Sequence, residues 1–338
     1  MRKSTLHFVV PGLLGPWVRA MAGTQTDRSL RSLQRLLTRA RVSDSVGDEF
    51  TLTAREVGLD DAPVGAVSAL GDGLEVGDAV WFCADPVNFV PDIHHLLLSD
   101  PRRLAITADD RSALRREILG SGLLDGMTLV AGRSGRWYLK LDTLPAVSTH
   151  APYAAVGKDV APWLPSGPWA AEWMARLTEL QMLLHQSEFN QRREAAGKLP
   201  VNSIWLWGNG RCPPRQSGCV SPIFADGPFA RGLGILAGAQ VQAQPAGWKA
   251  LRDVWEANSP AVVVVDGLRL LAQLDDPTEA MTVADGMERD WFAPIAQSMA
   301  RSAHFDVAIL PADGRLFQID CWTGRRFWRR GHLMTLIH

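Results

Sequence analysis

Apolar positions along this chain recur in two periods, and the switches between them outline alternating helices and strands. Residues 6–10, LHFVV, are almost continuously apolar, which predicts a buried parallel strand ending at Pro11–Gly12. Leu30, Leu33, Leu36 and Leu37 then fall at helical spacing with Arg28, Arg31, Arg35 and Arg39 opposite them. That pattern is an amphipathic helix with a solvated arginine stripe. Residues 79–83 predict a strand closed by Asp85–Pro86, and 109–119 a helix that Gly120 stops. Residues 127–131 and 136–141, separated by a Gly-Arg-Ser-Gly segment, predict a hairpin. The Pro-, Gly- and Ala-rich run 145–168 reads as a linker between two halves. Beyond it, 169–185 predicts a helix with Trp173, Leu177, Leu180 and Leu184 on one side, and 203–207 a strand. A glycine-rich helix start at Gly232, a helix over 247–258, the strand AVVVV at 261–265, a helix over 291–303 and a strand over 305–310 follow. Asp313–Gly314 is a turn into a closing strand over 316–321.

Helix then apolar strand, repeated through the C-terminal half, predicts an α/β protein with a mostly parallel sheet and helices on both faces. Ligands in such sheets sit beyond the carboxyl ends of the strands. Chemistry is therefore expected after Val10, Trp207, Val265 and Leu310.

Composition narrows the class. The 338 residues carry a net charge of −1, so no global field draws the chain to nucleic acid or an anionic membrane. No stretch approaches the ~20 apolar residues of a membrane span, and the N-terminal apolar run is broken by Pro11 and Pro16, unlike a signal peptide. The four cysteines, Cys83, Cys212, Cys219 and Cys321, show no CxxC pairing, which reads as free thiols in a cytoplasmic protein.

The densest polar constellation is Asn190, Arg192, Arg193, Asn202 and Arg211, beside the turn glycines Gly208 and Gly210. Arginine forks and side-chain amides hold phosphate or carboxylate bidentately, and they equally pin loops through backbone hydrogen bonds. His94–His95 beside Asp92 offers at most one ligand to any site, because neighbouring residues on a strand face opposite ways. Near the C-terminus Trp322, Phe327 and Trp328 interleave with Arg325, Arg326, Arg329 and Arg330. Such a patch can stack on single-stranded nucleic acid, or its rings can pack on the core with the arginines reaching solvent. Neither GxSxG nor a P-loop occurs.

Several segments resemble archaeal-type, cofactor-independent phosphoglycerate mutases. They are VSALGDGLEVGDAVWFCADPV at 67–87, FNQRREAAGKLPVNSIWLWGNGRCP at 189–213, FADGPFARGLGILAGAQV at 224–241 and WKALRDVWEANSPAVVVVDGLR at 248–269. ADPV at 84–87, LLLSDP at 96–101, Arg136–Trp137–Tyr138 and LQMLLH at 180–185 look like the Rpf-cluster regulatory protein E family. The resemblance implies an alkaline-phosphatase-like core from residues 1–62 and 146–338, with a smaller α+β lobe inserted over 63–145. It also implies two divalent metals held by Asp and His at strand ends, clamping a transferred phosphoryl group. Here the sequence departs. The first strand ends in Pro11–Gly12 where Asp-Gly is expected, no histidine follows Asp266–Gly267 before His304, and Pro311–Ala312–Asp313–Gly314 replaces an Asp-His turn. Only Asp266 and Asp313 remain as conceivable ligands.

The sequence reading is therefore a regulatory, phosphoglycerate-mutase-like protein whose metal-dependent catalysis is lost, with no metal and no cofactor. It would bind a small phosphorylated ligand through Asn190, Arg193, Asn202, Gly208, Gly210 and Arg211, or a protein partner. The alternative is a divergent mutase or phosphatase using Mn²⁺ or Mg²⁺.

Overall fold

A computed structural model describes residues 4–20, 30–60, 62–216, 218, 221–256, 259–271, 277–302, 305–320, 323 and 333. Its strands are β1 (Ser4–Val9), β2 (Arg41–Asp44), β3 (Val80–Val87), β4 (Phe89–Pro91), β5 (Leu96–Leu98), β6 (Thr128–Ala131), β7 (Trp137–Leu141), β8 (Ser203–Arg211), β9 (Ile223–Phe224), β10 (Val241–Gln242), β11 (Ala261–Val264), β12 (Phe305–Leu310) and β13 (Arg315–Ile319). The chain divides into two compact units, Pro63–Pro213 and the flanking segments Met1–Ala62 with Pro214–His338.

The flanking segments build the mixed α/β unit. Its sheet has the order β10-β9-β11-β1-β12-β13-β2. The first five strands are parallel, and β13 and β2 add antiparallel at the far side. β1 lies at the middle between β11 and β12, which suits the buried Leu6, Phe8, Val9 and Val10 at its end. Leu6, Phe8 and Val10 face one core with Leu33, Leu36 and Leu37 from the helix Arg31–Arg39 and with Trp291, Phe292 and Ile295. The Phe8 and Trp291 rings meet edge to face at 5.1 Å. Val9, Val262, Val264, Ala308 and Leu310 are also buried, so both faces of the sheet are covered.

The helix Arg31–Arg39 has no side-chain cap of its own at Leu30. Glu288 supplies one from 255 residues away. Its carboxylate accepts the backbone N–H groups of Ser32 (2.8 Å) and Leu33 (2.9 Å). Glu288 opens a π-helical turn, Glu288–Phe292, between the helices Thr278–Met287 and Ala293–Ser302. Sequence periodicity places only the last helix here, because a π-turn breaks the 3.6-residue repeat.

The Pro63–Pro213 unit is α+β, with an antiparallel sheet in the order β6-β7-β3-β8. One face buries Phe82, Trp137, Leu139, Ile204 and Leu206 against Trp173, Leu177, Leu180 and Leu184 of the helix Ala170–Gln186. The opposite face takes the helix Val64–Gly71, at a separation only glycine permits: a Cβ on Gly65 would lie 2.4 Å from the Trp81 carbonyl oxygen.

Three expectations are corrected. The smaller unit extends to Pro213, past the boundary expected at 145, because β8 pairs antiparallel with β3 and is not a strand of the parallel sheet. The run 145–168 is consequently no linker between halves; it lies inside this unit and bridges β5 through Leu97–Asp159 and Leu98–Val156. Asp85–Pro86 does not close β3 either. There β7 has already ended opposite Cys83, so a residue without an N–H leaves no gap on that side.

Candidate functional site

The parallel sheet puts an aspartate two or three residues past the carboxyl ends of three strands. Asp226 follows β9, Asp266 follows β11 and Asp313 follows β12. Each sits in a small-residue–Asp–Gly context: Ala225–Asp226–Gly227, Val265–Asp266–Gly267 and Ala312–Asp313–Gly314. Strands β9 and β11 are hydrogen-bonded neighbours. Their turns open on a cleft of about 430 Å³ lined by Asp226, Gly227, Gln244, Asp266, Asp290 and Trp291, among others. Asp290 and Trp291 come from the π-helical turn.

The two strand-end carboxylates are held differently. Asp226 Oδ1 accepts the Gln244 backbone N–H at 3.0 Å and is otherwise exposed. Asp266 Oδ1 accepts from Arg269 Nη2 at 2.7 Å, while Oδ2 lies 2.5 Å from where a Cβ on Gly227 would be. Gly227 is thus the residue that lets the β9 turn close on the β11 carboxylate. Arg269 is fixed from its other side by Glu49 at 2.8 Å and by the Phe50 ring, 5.4 Å from the guanidinium carbon. Burial holds the Glu49 carboxyl above the usual carboxylate range, against the pull of Arg269. Asp290 is held below that range by its hydrogen bonds from Arg289.

Asp313 does not join the cleft lining. It accepts from Arg315 Nε at 3.0 Å and from the Arg315 backbone N–H at 3.2 Å, closing the β12–β13 turn. The central strand ends in Pro11–Gly12, whose glycine N–H donates to the Pro311 carbonyl at 3.2 Å.

The Asn/Arg constellation lies in the other unit, and its described bonds run to the protein's own backbone and side chains. The Asn190 amide donates to the Leu184 and Val201 carbonyls, each at 2.8 Å, and its oxygen accepts the Val201 N–H at 2.9 Å. Buried Arg193 binds the Leu199 and Leu104 carbonyls and Asp110. Asn202 exchanges two hydrogen bonds with the backbone of Phe89. Arg211 reaches the Asp142 carbonyl at 3.0 Å. Gly208, with φ +68°, and Gly210 stand where a Cβ would strike Val64 and Pro63. Of the two roles open from sequence, loop pinning is the one these contacts describe. His94 and His95 sit exposed at the β4–β5 turn, with His95 Nδ1 3.4 Å from Asp159. The patch Arg325–Arg330 lies outside the described residues, as do Cys219 and Cys321. Cys83 is a buried free thiol.

Asp226 escaped the sequence reading, since β9 is two residues long and leaves no periodic signal. The repeated Asp–Gly after an apolar pair was the available clue.

Two divalent metals in a protein-only cage do not fit: among the described residues, no group of three or more His, Cys, Asp or Glu is placed to hold an ion. A single Mg²⁺ or Mn²⁺ asks for less. Such ions are commonly held by one or two carboxylates completed by substrate phosphate and water, and Asp226 with Asp266 supply that donor chemistry. Among the described residues no helix is long and apolar enough to cross a membrane.

No family model matches the chain. It is 27% identical over 182 residues to a probable 2,3-bisphosphoglycerate-independent phosphoglycerate mutase of Geobacter sulfurreducens, covering 52% of this chain and 46% of that protein. It is 28% identical over 192 residues to 2,3-bisphosphoglycerate-independent phosphoglycerate mutase 2 of Methanothermobacter thermautotrophicus, covering 52% and 44%. Among solved structures, a cofactor-independent phosphoglycerate mutase of Thermoplasma acidophilum aligns over 94% of this chain and 89% of its own, at 17% identity and TM-score 0.46. A protein of Pyrococcus horikoshii aligns over 95% and 88%, at 12% identity and TM-score 0.47. Scores below 0.5 do not define a shared fold. The chain spans about half the length of the curated relatives it matches, and over that half its sequence is similar to 2,3-bisphosphoglycerate-independent phosphoglycerate mutases.

Proposed function

We propose that the chain is a divergent mutase or phosphatase of the phosphoglycerate-mutase-like, alkaline-phosphatase-like class, acting on a small phosphorylated molecule in the Asp226–Asp266 cleft. The observation that carries this reading is the pair of aspartates beyond neighbouring parallel strands, facing a cleft large enough for such a ligand. The mutase relatives support the same chemistry. Asp226 and Asp266 would hold one Mg²⁺ or Mn²⁺, which when bound neutralises phosphoryl oxygens that bare carboxylates repel. Gln244 orients Asp226 through its backbone N–H, Arg269 orients Asp266, and Gly227 leaves the space between them.

A second reading, a non-catalytic regulator, is favoured by one contact. The Arg269 guanidinium already neutralises Asp266. Interconversion of 2- and 3-phosphoglycerate, assayed with Mn²⁺ alongside metal analysis, decides between them. Turnover that Asp266→Ala abolishes supports the enzyme. Absence of turnover, with a phosphorylated ligand still raising the thermal midpoint, supports the regulator.

A further inference from the structure

Arg269 stands where a strand-end aspartate would otherwise offer both oxygens to a cation. The side chain cannot easily leave: Nη2 binds Asp266 Oδ1 at 2.7 Å, Nε binds Glu49 at 2.8 Å, and the guanidinium lies over Phe50. Phe50 in turn packs edge to face on Phe229 at 5.1 Å, and both rings are buried. Glu49 and Arg269 are largely buried as well, with side chains 13% and 19% exposed. A fixed guanidinium paired to two carboxylates is a permanent positive charge held directly behind Asp266, one of the cleft's lining residues. We infer that Arg269 is an internal countercation that takes the place of one divalent ion, so that the cleft accepts at most one.

The inference rests on the proposed cation at Asp226 and Asp266, and it makes a claim about number and affinity that the function alone does not. Of the two Asp266 oxygens, Oδ1 is committed to Arg269, and Oδ2 is turned toward the Asp226–Gly227 turn. One oxygen of Asp266 and the side chain of Asp226 suit a single ion completed by water and phosphate. They do not suit a pair.

Titration of the full chain with Mn²⁺, reading free Mn²⁺ by electron paramagnetic resonance, tests this without recourse to activity. Wild type is expected to take one equivalent weakly. Glu49→Gln with Arg269→Gln removes the guanidinium and its partner charge together, and is expected to tighten Mn²⁺ binding by on the order of tenfold or to admit a second ion. Arg269→Lys keeps the charge and should bind as wild type does. If the double variant does not fold, Arg269→Gln alone carries the same expectation. Wild type taking two equivalents overturns both the role of Arg269 and the single-ion reading, whereas a folded variant binding no more tightly than a one-equivalent wild type overturns the role of Arg269 and leaves the single-ion reading standing. A variant that binds where wild type does not upholds Arg269 and overturns the cation in the native cleft. No binding by either overturns both.

Discussion

Removing the carboxylate of Glu288 should loosen a helix 255 residues earlier in the chain. The helix Arg31–Arg39 leaves its first N–H groups without a local acceptor, and Glu288 alone among the described side chains takes those of Ser32 and Leu33. A missing N-cap costs about 0.5–2 kcal/mol. Hydrogen bonds to a charged group contribute about 1.5–3 kcal/mol each, although solvent can reach the half-exposed Ser32 end and recover part of that. Together these put Glu288→Ala at about 3 kcal/mol of destabilisation. Glu288→Gln, which keeps one acceptor and gives up the charge at the helix N-terminus, should cost about 1.5–2 kcal/mol. Guanidinium denaturation of the full chain, paired with amide hydrogen exchange over residues 31–39, measures both. The exchange should speed up in that helix first. A Glu288→Ala protein within 0.5 kcal/mol of wild type, with unchanged exchange there, would refute the tertiary cap. Because Glu288 begins the turn that carries Asp290 and Trp291, the same variant should also alter ligand or Mn²⁺ affinity at the cleft.

Two further outcomes follow from the Pro63–Pro213 unit. Asn190→Ala deletes three buried hydrogen bonds and should destabilise this unit by about 2–4 kcal/mol while leaving Mn²⁺ binding unchanged, as denaturation and the Mn²⁺ titration would show. Burial pushes the Cys83 thiol from 9.0 up to about 12, so its contribution to stability is complete below pH 9 and is lost as pH rises toward 12. That loss is on the order of 4 kcal/mol. Denaturation midpoints between pH 9 and 11 should fall more steeply in wild type than in Cys83→Ala; equal slopes would count against it.

Long apolar repeats made much of the fold legible. Leu33, Leu36 and Leu37 mark their helix, Trp173 to Leu184 theirs, and AVVVV the strand beside β1. Partners of a strand are harder to read, because an all-apolar run suits a parallel sheet and the centre of a two-sided antiparallel one alike. Ser203–Trp207 reads as a parallel strand for that reason and instead pairs antiparallel with β3: helices cover both of its faces, as they do those of β1. In the Asn190–Arg211 segment pinning a loop and gripping an anion call for the same side chains, so sequence alone leaves both roles open. Asp226 carries only the repeated Asp–Gly as a signal in sequence, and its nearness to Asp266 follows from the pairing of β9 with β11. A two-residue strand carries no period, and closeness between turns forty residues apart is a property of the sheet.

The placement of β1 between β11 and β12 has a temporal consequence. Ribosomes deliver residues 4–9 long before either neighbour exists, since β11 begins at Ala261 and β12 at Phe305. During that interval the Pro63–Pro213 unit, contiguous in sequence, can condense on its own local contacts, while a strand carrying Leu6, Phe8 and Val9 waits with both edges unpaired. Sequence-distant pairing of this kind is slow and leaves sticky segments exposed. Biogenesis of this protein should therefore be limited by capture of its first strand, and most sensitive to whatever shields that strand on the nascent chain.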